Sequence, residues 1–362
     1  MNMLIAFDSL KGCLSSKEAG EAFASGVRAA GGHCHMLTMS DGGEGMLDAF
    51  LDAMGGEQVE APCHDALMRP ITARYGMAGD TAIIEVAEAC GLERIEPENR
   101  NPIVATSYGV GELMADAIGR GARRCIVGLG GTATCDCGTG MLRAIIDRLG
   151  RQNERFDEVR ARRFASLQVT IASDVTNPLC GPTGAASVFA PQKGATPEMI
   201  PVLEQRAQRF ADFSARHYGR DHSNTPGAGA AGGLGYALLE YFEAECLSGA
   251  ELLLRHCRFD ELLAEATLVV TGEGRSDCQT LMGKLPFVVM EHARKAGKPT
   301  LLCPGELEDR AQLLAAGFAQ AECINPAGLP KEEAMRPEVA KANLKAQGEK
   351  CPQWLAEWLK TK

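Results

Sequence analysis

The stretch Met3-Leu4-Ile5-Ala6-Phe7-Asp8-Ser9-Leu10-Lys11-Gly12 decides how the fold begins. Its apolar half predicts a short buried strand, and its polar half predicts a loop at the carboxyl end of that strand. Ser15, with Glu18 three residues later, makes a capping-box pattern that predicts a helix through Arg28. The order strand, polar loop, helix is typical of one half of a βαβ unit.

The same order recurs near both ends of the chain. Further short strands are predicted at Cys34–Met39, Leu268–Thr271, Pro299–Cys303 and Ala321–Ile324, with helices at Met46–Met54, Pro286–Lys295 and Asp309–Ala316. Short apolar strands that alternate with helices predict a mostly parallel sheet with helices on both faces. Since neither end holds enough strands for a covered sheet, we expect the two ends to combine into one doubly wound, flavodoxin-like α/β domain.

The middle of the chain has a more mixed pattern. Val59–Tyr75 and Thr81–Val86 predict antiparallel strands, whereas Arg124–Gly128 and Val169–Ser173 are short apolar strands flanked by helical segments. We therefore expect a second, mixed α/β domain inserted into the first. The predicted boundaries are residues 1–62 with 255–362 for the doubly wound domain and 63–254 for the insertion.

Composition and net charge exclude several classes of protein. The 362 residues are 45% hydrophobic and 23% charged, which excludes a disordered or fibrous chain, and the net charge of −10 argues against nucleic acid and membrane surfaces as partners. The first apolar run ends at Asp8, so no secretory signal is predicted. Fourteen cysteines without a disulfide or zinc-ligand pattern indicate free thiols, and we expect a cytoplasmic protein.

Two polar loops follow the first two predicted strands, where doubly wound sheets bind ligands. In the first, Asp8, Ser9 and Lys11 can bind a hydroxy acid or a phosphate. In the second, Asp41 and Glu44 are separated by glycines and can bind Mg²⁺. The alternative for both loops is an ordinary turn whose acidic residues cap the next helix.

Two further loops lie in the middle of the chain. In the segment 128–136, Gly130, Gly131 and Thr132 can present backbone N–H groups and a hydroxyl to an anion. Asp174 comes at a predicted strand end, a suitable position for a general base or a metal ligand, although a plain turn is the alternative. Lys193 offers a cation in a nearby turn.

A fifth loop combines acids and bases after the strand Leu268–Thr271. Glu273 and Asp277 alternate with Arg275, and Lys284 follows shortly after. Carboxylates that hold Mg²⁺ and cations that neutralise phosphate are the mixture that phosphoryl transfer needs. A surface cluster of salt bridges is the alternative.

The segment Gly227–Gly232 matches the G-x-G-x-x-G pattern, but the residues before it do not form a strand, so the context of a dinucleotide site is missing. Gly229, Gly232 and Gly233 can instead open a helix whose N-terminus faces an anion. The chain has no G-x-x-x-x-G-K-[ST] motif, which excludes a P-loop.

Taken together, these strings resemble the type 1 glycerate kinase family. The resemblance is carried by the ordered segments 6–12, 41–45, 128–136, 173–179, 190–195, 226–235 and 271–280, and it runs from Met1 to about Ala327. It implies ATP-dependent phosphorylation of D-glycerate, a Mg²⁺ requirement, and an active site in the cleft between two α/β domains. In bacterial members the product is usually 2-phosphoglycerate. The family more often has Phe where Leu10 stands, and Asn-Asp-Gly-Gly where this chain has 135–138.

The resemblance and the loop chemistry together give hypotheses for individual roles. The candidate catalytic residues are Asp174, Asp8, Lys11 and Arg275, and either of the two aspartates can serve as the base. The candidate substrate- and phosphate-binding residues are Ser9, Gly130, Gly131, Thr132, Lys193, Gly229, Gly232, Gly233 and Lys284. The candidate Mg²⁺ ligands are Asp41, Glu44, Asp136, Glu273 and Asp277.

Several alternatives stay open from sequence alone. A glycerate 3-kinase would yield 3-phosphoglycerate. A nicotinamide-dependent dehydrogenase of hydroxy acids is favoured only by the glycine loops, and a sensor that binds a sugar acid would need no Mg²⁺ ligands. The expected partners are D-glycerate and ATP, without nucleic acid or membrane, and the protein is expected to be a monomer or a homodimer.

Overall fold

The computed structural model describes residues 2–43 and 45–360. Its strands are β1 (Asn2–Phe7), β2 (His33–Thr38), β3 (Glu57–His64), β4 (Pro70–Ala78), β5 (Thr81–Glu85), β6 (Arg124–Gly128), β7 (Gln168–Ala172), β8 (Glu245–Leu247), β9 (Leu268–Gly272), β10 (Arg275–Ser276), β11 (Thr300–Leu302), β12 (Glu306–Leu307) and β13 (Gln320–Ala321).

Fifteen α-helices accompany these strands. They are α1 (Ser16–Ala29), α2 (Met46–Met54), α3 (Ala87–Cys90), α4 (Tyr108–Gly119), α5 (Thr139–Leu149), α6 (Phe156–Arg163), α7 (Ala185–Phe189), α8 (Met199–Tyr218), α9 (Ala230–Phe242), α10 (Gly249–His256), α11 (Phe259–Glu265), α12 (Leu285–Lys295), α13 (Arg310–Ala316), α14 (Lys331–Ala334) and α15 (Pro337–Lys360). Short 3₁₀ helices occur at Leu92–Arg94, Pro97–Asn99, Pro191–Lys193 and Cys278–Met282.

Both ends of the chain build one compact unit, Met1–Asp41 with Ala250–Lys362. Its five-stranded sheet has the order β13-β11-β9-β1-β2, and every pairing is parallel. Numbered along this sheet alone, the order is 2-1-3-4-5, which is the flavodoxin-like form of the doubly wound fold. The predicted fold class is confirmed. In this order the direction of winding reverses between β1 and β9.

Helix α1 begins as the sequence predicts, because the Ser15 side chain accepts from the Glu18 N–H and the Glu18 side chain accepts from the Ser15 N–H. The helix packs against α15 at the other end of the chain. Gly26 and Gly348 allow this close packing, since a Cβ at Gly26 would lie 2.0 Å from the Lys345 carbonyl oxygen and one at Gly348 2.2 Å from the Phe23 carbonyl oxygen.

The second compact unit, Gly42–Gly249, contains a six-stranded sheet in the order β3-β4-β5-β6-β7-β8. The pairs β3–β4 and β4–β5 are antiparallel, as the alternating pattern predicts, and the remaining pairs are parallel. The carboxyl ends of β5, β6 and β7 therefore share one edge of the sheet, and the loops that follow them start there.

The boundary between the units differs from the predicted one. The sequence pattern assigned residues 42–62 to the doubly wound domain, but β3 pairs with β4 from Glu57 to His64 and α2 packs against β4 and β5. Leu51 of α2 lies against β4, because a Cβ at Gly76 would be 2.9 Å from its side chain. Helix α10 begins at the other boundary, so residues 250–254 join the first unit. Local patterning identifies a strand or helix but carries no information about which sheet it joins.

Within the described parts of the chain, no helix is both long enough and apolar enough to cross a lipid bilayer.

Candidate functional site

A cavity of about 780 Å³ opens in the first unit beside the segments that follow β1 and β9. Doubly wound sheets bind ligands at the strand ends where the winding reverses, which is the point between these two strands. Seven residues that the sequence singled out line this cavity: Asp8, Ser9, Lys11, Asp41, Glu273, Arg275 and Lys284. The structure thus brings together three separate loops that are distant in sequence.

Asp8 and Glu273 are the two buried carboxylates of this group, each with 6% of its surface exposed. The Asp8 Oδ1 accepts from the Ser9 N–H at 2.7 Å. Burial raises the pKa of Asp8 to about 7, the negative charge of Asp41 adds to the increase, and the Ser9 N–H and Lys11 oppose it. A carboxylate whose pKa lies near neutral pH is suited to act as a general base.

Lys11 and Asp41 form an ion pair beside Asp8. The Lys11 Nζ lies 3.8 Å from the Asp41 Oδ2, and the lysine side chain is 70% exposed. Exposed pairs of this length contribute little to stability, so Lys11 can exchange Asp41 for a ligand at small cost.

Glu273 organises its own loop. Its Oε1 accepts from the Ser276 hydroxyl at 3.0 Å and from the Thr280 hydroxyl at 2.6 Å, and its Oε2 accepts from the Lys284 Nζ at 3.3 Å. These contacts place the Lys284 ammonium at the cavity, and they use both oxygens of the predicted Mg²⁺ ligand. The structure therefore gives Glu273 a loop-holding role.

Asp277 caps a short helix, and its predicted role as a Mg²⁺ ligand stays a prediction. Its Oδ1 accepts from the Gln279 N–H at 2.8 Å and caps the short helix Cys278–Met282, and the residue does not line the cavity. Arg275 is held by two carboxylates, Glu308 at 2.7 Å and Asp277 at 3.4 Å.

In the second unit, Asp136 organises the glycine-rich loop after β6. Its two oxygens accept from the Ser107 N–H and hydroxyl, the Thr106 hydroxyl, and the N–H groups of Gly138 and Gly140, at 2.8–3.3 Å. Such a set satisfies the carboxylate without a metal. Asp136 thus anchors this loop, and its role as a Mg²⁺ ligand stays a prediction.

Lys193 supports the same loop from inside the protein. It is 3% exposed, its Nζ donates to the Thr132 hydroxyl at 2.9 Å and to the Thr134 carbonyl at 2.7 Å, and burial lowers its pKa. Thr132 is itself buried. In this structure both residues support the loop, and their direct contact with phosphate stays a prediction.

Lys193→Ala is expected to lower the stability of the second unit by about 2–4 kcal/mol, because it leaves the Thr134 carbonyl without its buried donor and opens a cavity. Thermal denaturation of the variant, with the exposed Lys350→Ala as control, measures this loss. If the melting temperature is unchanged and the KM for a substrate rises strongly, Lys193 binds that substrate directly.

The predicted glycines divide into two groups. Gly131 is exposed and has a φ of +69°, so its N–H group can face a ligand, and Gly130 is partly exposed. Gly229, Gly232 and Gly233 are buried. A Cβ at Gly232 would lie 1.9 Å from the Thr134 carbonyl oxygen, and the Gly232 carbonyl accepts from the Cys137 N–H at 3.1 Å. These three glycines permit close backbone packing, and their contact with an anion stays a prediction.

Asp174 lies two residues beyond β7 and is exposed. It belongs to the second unit, whereas the other candidate base, Asp8, belongs to the first. Glu44 lies outside the described residues.

Glu85 is a candidate that the sequence reasoning missed. It is the last residue of β5 and is 4% exposed, and its carboxylate accepts from the N–H groups of Gly45 at 3.3 Å and Leu47 at 3.1 Å. Burial raises its pKa to about 7. Glu85 thus holds the start of α2 and Gly45, the residue directly before it. The acid after the apolar run Ala82–Ile84 is the same signal that identified Asp8.

The cavity residues also fit a Mg²⁺ ion that arrives with phosphate. Over residues 2–43 and 45–360 no group of three or more His, Cys, Asp or Glu side chains forms a metal cage. Mg²⁺ commonly takes only one or two carboxylates and completes its shell with water and phosphate oxygens. Asp41, whose charge raises the pKa of the neighbouring Asp8, supplies an oxygen ligand of the required kind.

Comparison with known proteins places this chain in a family. Residues 3–356 match the model described as the glycerate kinase family. The glycerate kinase of Bacillus subtilis (strain 168) is 38% identical over 354 residues, covering 92% of this chain and 93% of the relative. The glycerate 2-kinase of Escherichia coli (strain K12) is 37% identical over 328 residues, covering 85% and 86%.

A solved structure agrees with these relatives. The crystal structure of a protein from Salmonella typhimurium LT2, described as glycerate kinase 2, superposes with a TM-score of 0.82 at 33% identity and covers 99% of both chains. The match thus includes both units and the strand ends that carry the cavity. The chain belongs to the glycerate kinase family and is a phosphotransferase.

Proposed function

We propose that this protein transfers the γ-phosphoryl group of ATP to the 2-hydroxyl of D-glycerate in a Mg²⁺-dependent reaction. The observation that carries the proposal is the meeting of Asp8 and Asp41 with Lys11, Arg275 and Lys284 in one cavity. Phosphoryl transfer requires a base for the attacking hydroxyl and cations for the charge on the phosphate. The name of the Escherichia coli relative supports the 2-position as the acceptor.

Asp8 is the proposed base. It is buried, and its Oδ1 accepts from the Ser9 N–H; because a carboxylate has several acceptor sites, it can also accept the proton of the glycerate hydroxyl. Its raised pKa matches the task, since it can take a proton near neutral pH and release it after transfer.

The cations of the cavity have complementary roles. Lys11 and Lys284 are flexible point charges suited to phosphate, whereas the guanidinium of Arg275 is held in place by Glu308 and can bind a carboxylate or phosphate through two N–H groups. Asp41 would hold Mg²⁺, which when bound neutralises charge on the phosphates. Gly130 and Gly131 are proposed to offer backbone N–H groups to a phosphate.

The glycine pattern Gly227–Gly232 does not support the dehydrogenase alternative. It follows helix α8 and a loop, and not a strand, so the structure lacks the strand–turn–helix context of a dinucleotide site there. Membership of a kinase family also favours turnover over a sensor that only binds a sugar acid. We further propose that the protein works in the cytoplasm, where its fourteen cysteines are kept as free thiols.

The direct test measures ADP formation from ATP, Mg²⁺ and D-glycerate in a coupled assay, with the product identified by phosphorus NMR. We expect glycerate-dependent ADP formation and the signal of 2-phosphoglycerate. A 3-phosphoglycerate signal would retain the kinase but change the acceptor hydroxyl. An ADP rate equal to that of the glycerate-free control would contradict the proposed acceptor, and L-glycerate and tartronate would then be tested in the same assay.

A further inference from the structure

We infer that the cavity of the first unit is the nucleotide site, with the phosphates beside its charged residues at the strand ends and the base against the apolar residues of its lining. This inference rests on the proposed function, because it assigns one of the two substrates of that reaction to a particular surface. It starts from the observation that the two sides of the cavity differ in chemistry.

The polar side is formed by the segments that follow β1, β2 and β9. Lys11, Arg275 and Lys284 lie there with Asp8, Asp41 and Glu273. Each cation is paired with a carboxylate, as in the contacts of Lys11 with Asp41 and of Lys284 with Glu273. Such a mixture suits a polyphosphate with a bound divalent cation. The cationic side chains can pair with the phosphates, and the carboxylates can pair with the divalent cation.

The apolar side, which we call the apolar wall, comes from Leu10, Cys13, Leu329, Ala334 and Met335. Met335 is 40% exposed, and its Cε lies 3.4 Å from where a Cβ at Gly12 would be. The flexible, polarisable thioether of methionine adapts well to the flat face of a ring. The wall thus presents to solvent an apolar surface that a ligand can cover.

The segment that carries the wall is held by a hydrogen-bonded asparagine. The Asn325 side chain donates to the Gly305 carbonyl at 2.6 Å and accepts from Asn343 at 2.9 Å. These two contacts tie the chain after β13 to the loop after β11 and to helix α15. The wall is therefore formed before a ligand arrives, which lowers the entropy lost on binding.

Size and polarity favour the nucleotide over D-glycerate as the occupant of the wall. The volume of about 780 Å³ falls within the roughly 300–1,000 Å³ typical of pockets that enclose drug-sized ligands. D-Glycerate is several times smaller and carries a polar group on every carbon, so it gains nothing from Leu329 or Met335. A nucleotide has an apolar ring at one end and anionic phosphates at the other, which matches the two sides of the cavity.

The first test places a bulky side chain on the apolar wall. Met335→Trp is expected to raise the KM for ATP and the Kd for MgADP by about tenfold or more, a loss of roughly 1.4 kcal/mol per tenfold, with little change in the KM for D-glycerate. Val202→Trp adds the same ring at a position of similar exposure, 44%, that does not line the cavity, and is the matched control. A rise in the D-glycerate KM alone, or no change in either constant, would overturn the inference.

The second test uses the wild-type protein and needs no substitution. Cys13 lines the cavity, whereas Cys278 is exposed outside it. Burial raises the pKa of Cys13, so alkylation with N-ethylmaleimide is followed at mildly alkaline pH by peptide mass spectrometry. We expect MgADP to slow the alkylation of Cys13 several-fold without affecting Cys278, and D-glycerate alone to leave both rates unchanged. Protection of Cys13 by D-glycerate alone, or no protection at saturating MgADP, would refute the assignment.

The two readouts separate this inference from the proposed function. If wild-type protein fails to phosphorylate D-glycerate but MgADP protects Cys13, the proposed reaction fails and the nucleotide site is supported. If D-glycerate is phosphorylated while MgADP leaves Cys13 unprotected, the reaction is supported and the nucleotide site is refuted. Because the alkylation experiment uses the native chain, a folding defect in Met335→Trp would not prevent a decision.

Discussion

Asp8→Asn is expected to lower kcat by about 10²–10⁴-fold. At pH values above neutral, the same substitution is expected to raise the melting temperature of the protein. The loss of activity follows from the removal of the proposed base, since an amide cannot take a proton from the attacking hydroxyl. The gain in stability follows because the amide cannot ionise, while its oxygen can still accept the N–H of Ser9.

The sign of the stability change follows from the pKa of Asp8. In the folded protein it is raised from 3.8 to about 7, mainly by burial, so folding favours the protonated carboxyl. The stabilisation is present below pH 3.8 and is lost as the pH rises through about 7. At one pKa unit per 1.36 kcal/mol, Asn is expected to recover at most roughly 4 kcal/mol at pH 8. Thermal denaturation in EDTA at pH 5 and pH 8 measures this gain, which is larger at pH 8.

Asp174→Asn is the matched comparison. Asp174 also follows a parallel strand, but it is exposed, whereas Asp8 is buried. If Asp174→Asn removes turnover while Asp8→Asn retains it, the role of base passes to Asp174. A melting temperature of Asp8→Asn that follows wild type at both pH values would contradict the buried ionisation.

Gly232→Ala is expected to destabilise the second unit by about 3–5 kcal/mol, or to prevent it from folding. Gly232 has a φ of +66°, which L side chains rarely adopt, and an added Cβ would lie 1.9 Å from the Thr134 carbonyl oxygen. The loop after β6 would have to move, and with it the residues that Asp136 and Lys193 hold. Chemical denaturation followed by circular dichroism measures the loss.

Gly219→Ala isolates the contribution of the close contact. Gly219 has a nearly identical φ of +70°, but no heavy atom lies within 4 Å of the position of its Cβ. Gly219→Ala is therefore expected to lose only about 1–2 kcal/mol of stability, the cost of a positive φ for an L residue. A Gly232→Ala protein as stable as Gly219→Ala would show that the two backbones can separate without cost.

Most of the cavity-lining residues at the strand ends of the first unit can be predicted from local sequence. A short apolar run followed by polar residues marks the carboxyl end of a buried strand, and parallel strands bring those ends to one edge of a sheet. Asp8, Lys11, Asp41, Glu273 and Lys284 were therefore predicted to lie on ligand-binding loops, and in the structure they line one cavity. The capping box at Ser15 and the antiparallel start of the second sheet follow from equally local patterns.

The roles of individual side chains were decided by tertiary structure. Asp136 looks like a metal ligand in sequence, but Thr106 and Ser107, about thirty residues away, donate to its Oδ2, and the Gly138 N–H donates to its Oδ1. Lys193 looks like a surface cation, yet it is buried against Thr132 and Thr134, about sixty residues away. Composition and spacing determine which chemical groups a loop carries, whereas burial and distant partners determine whether a group faces a ligand or the protein, and those arise only when the chain packs.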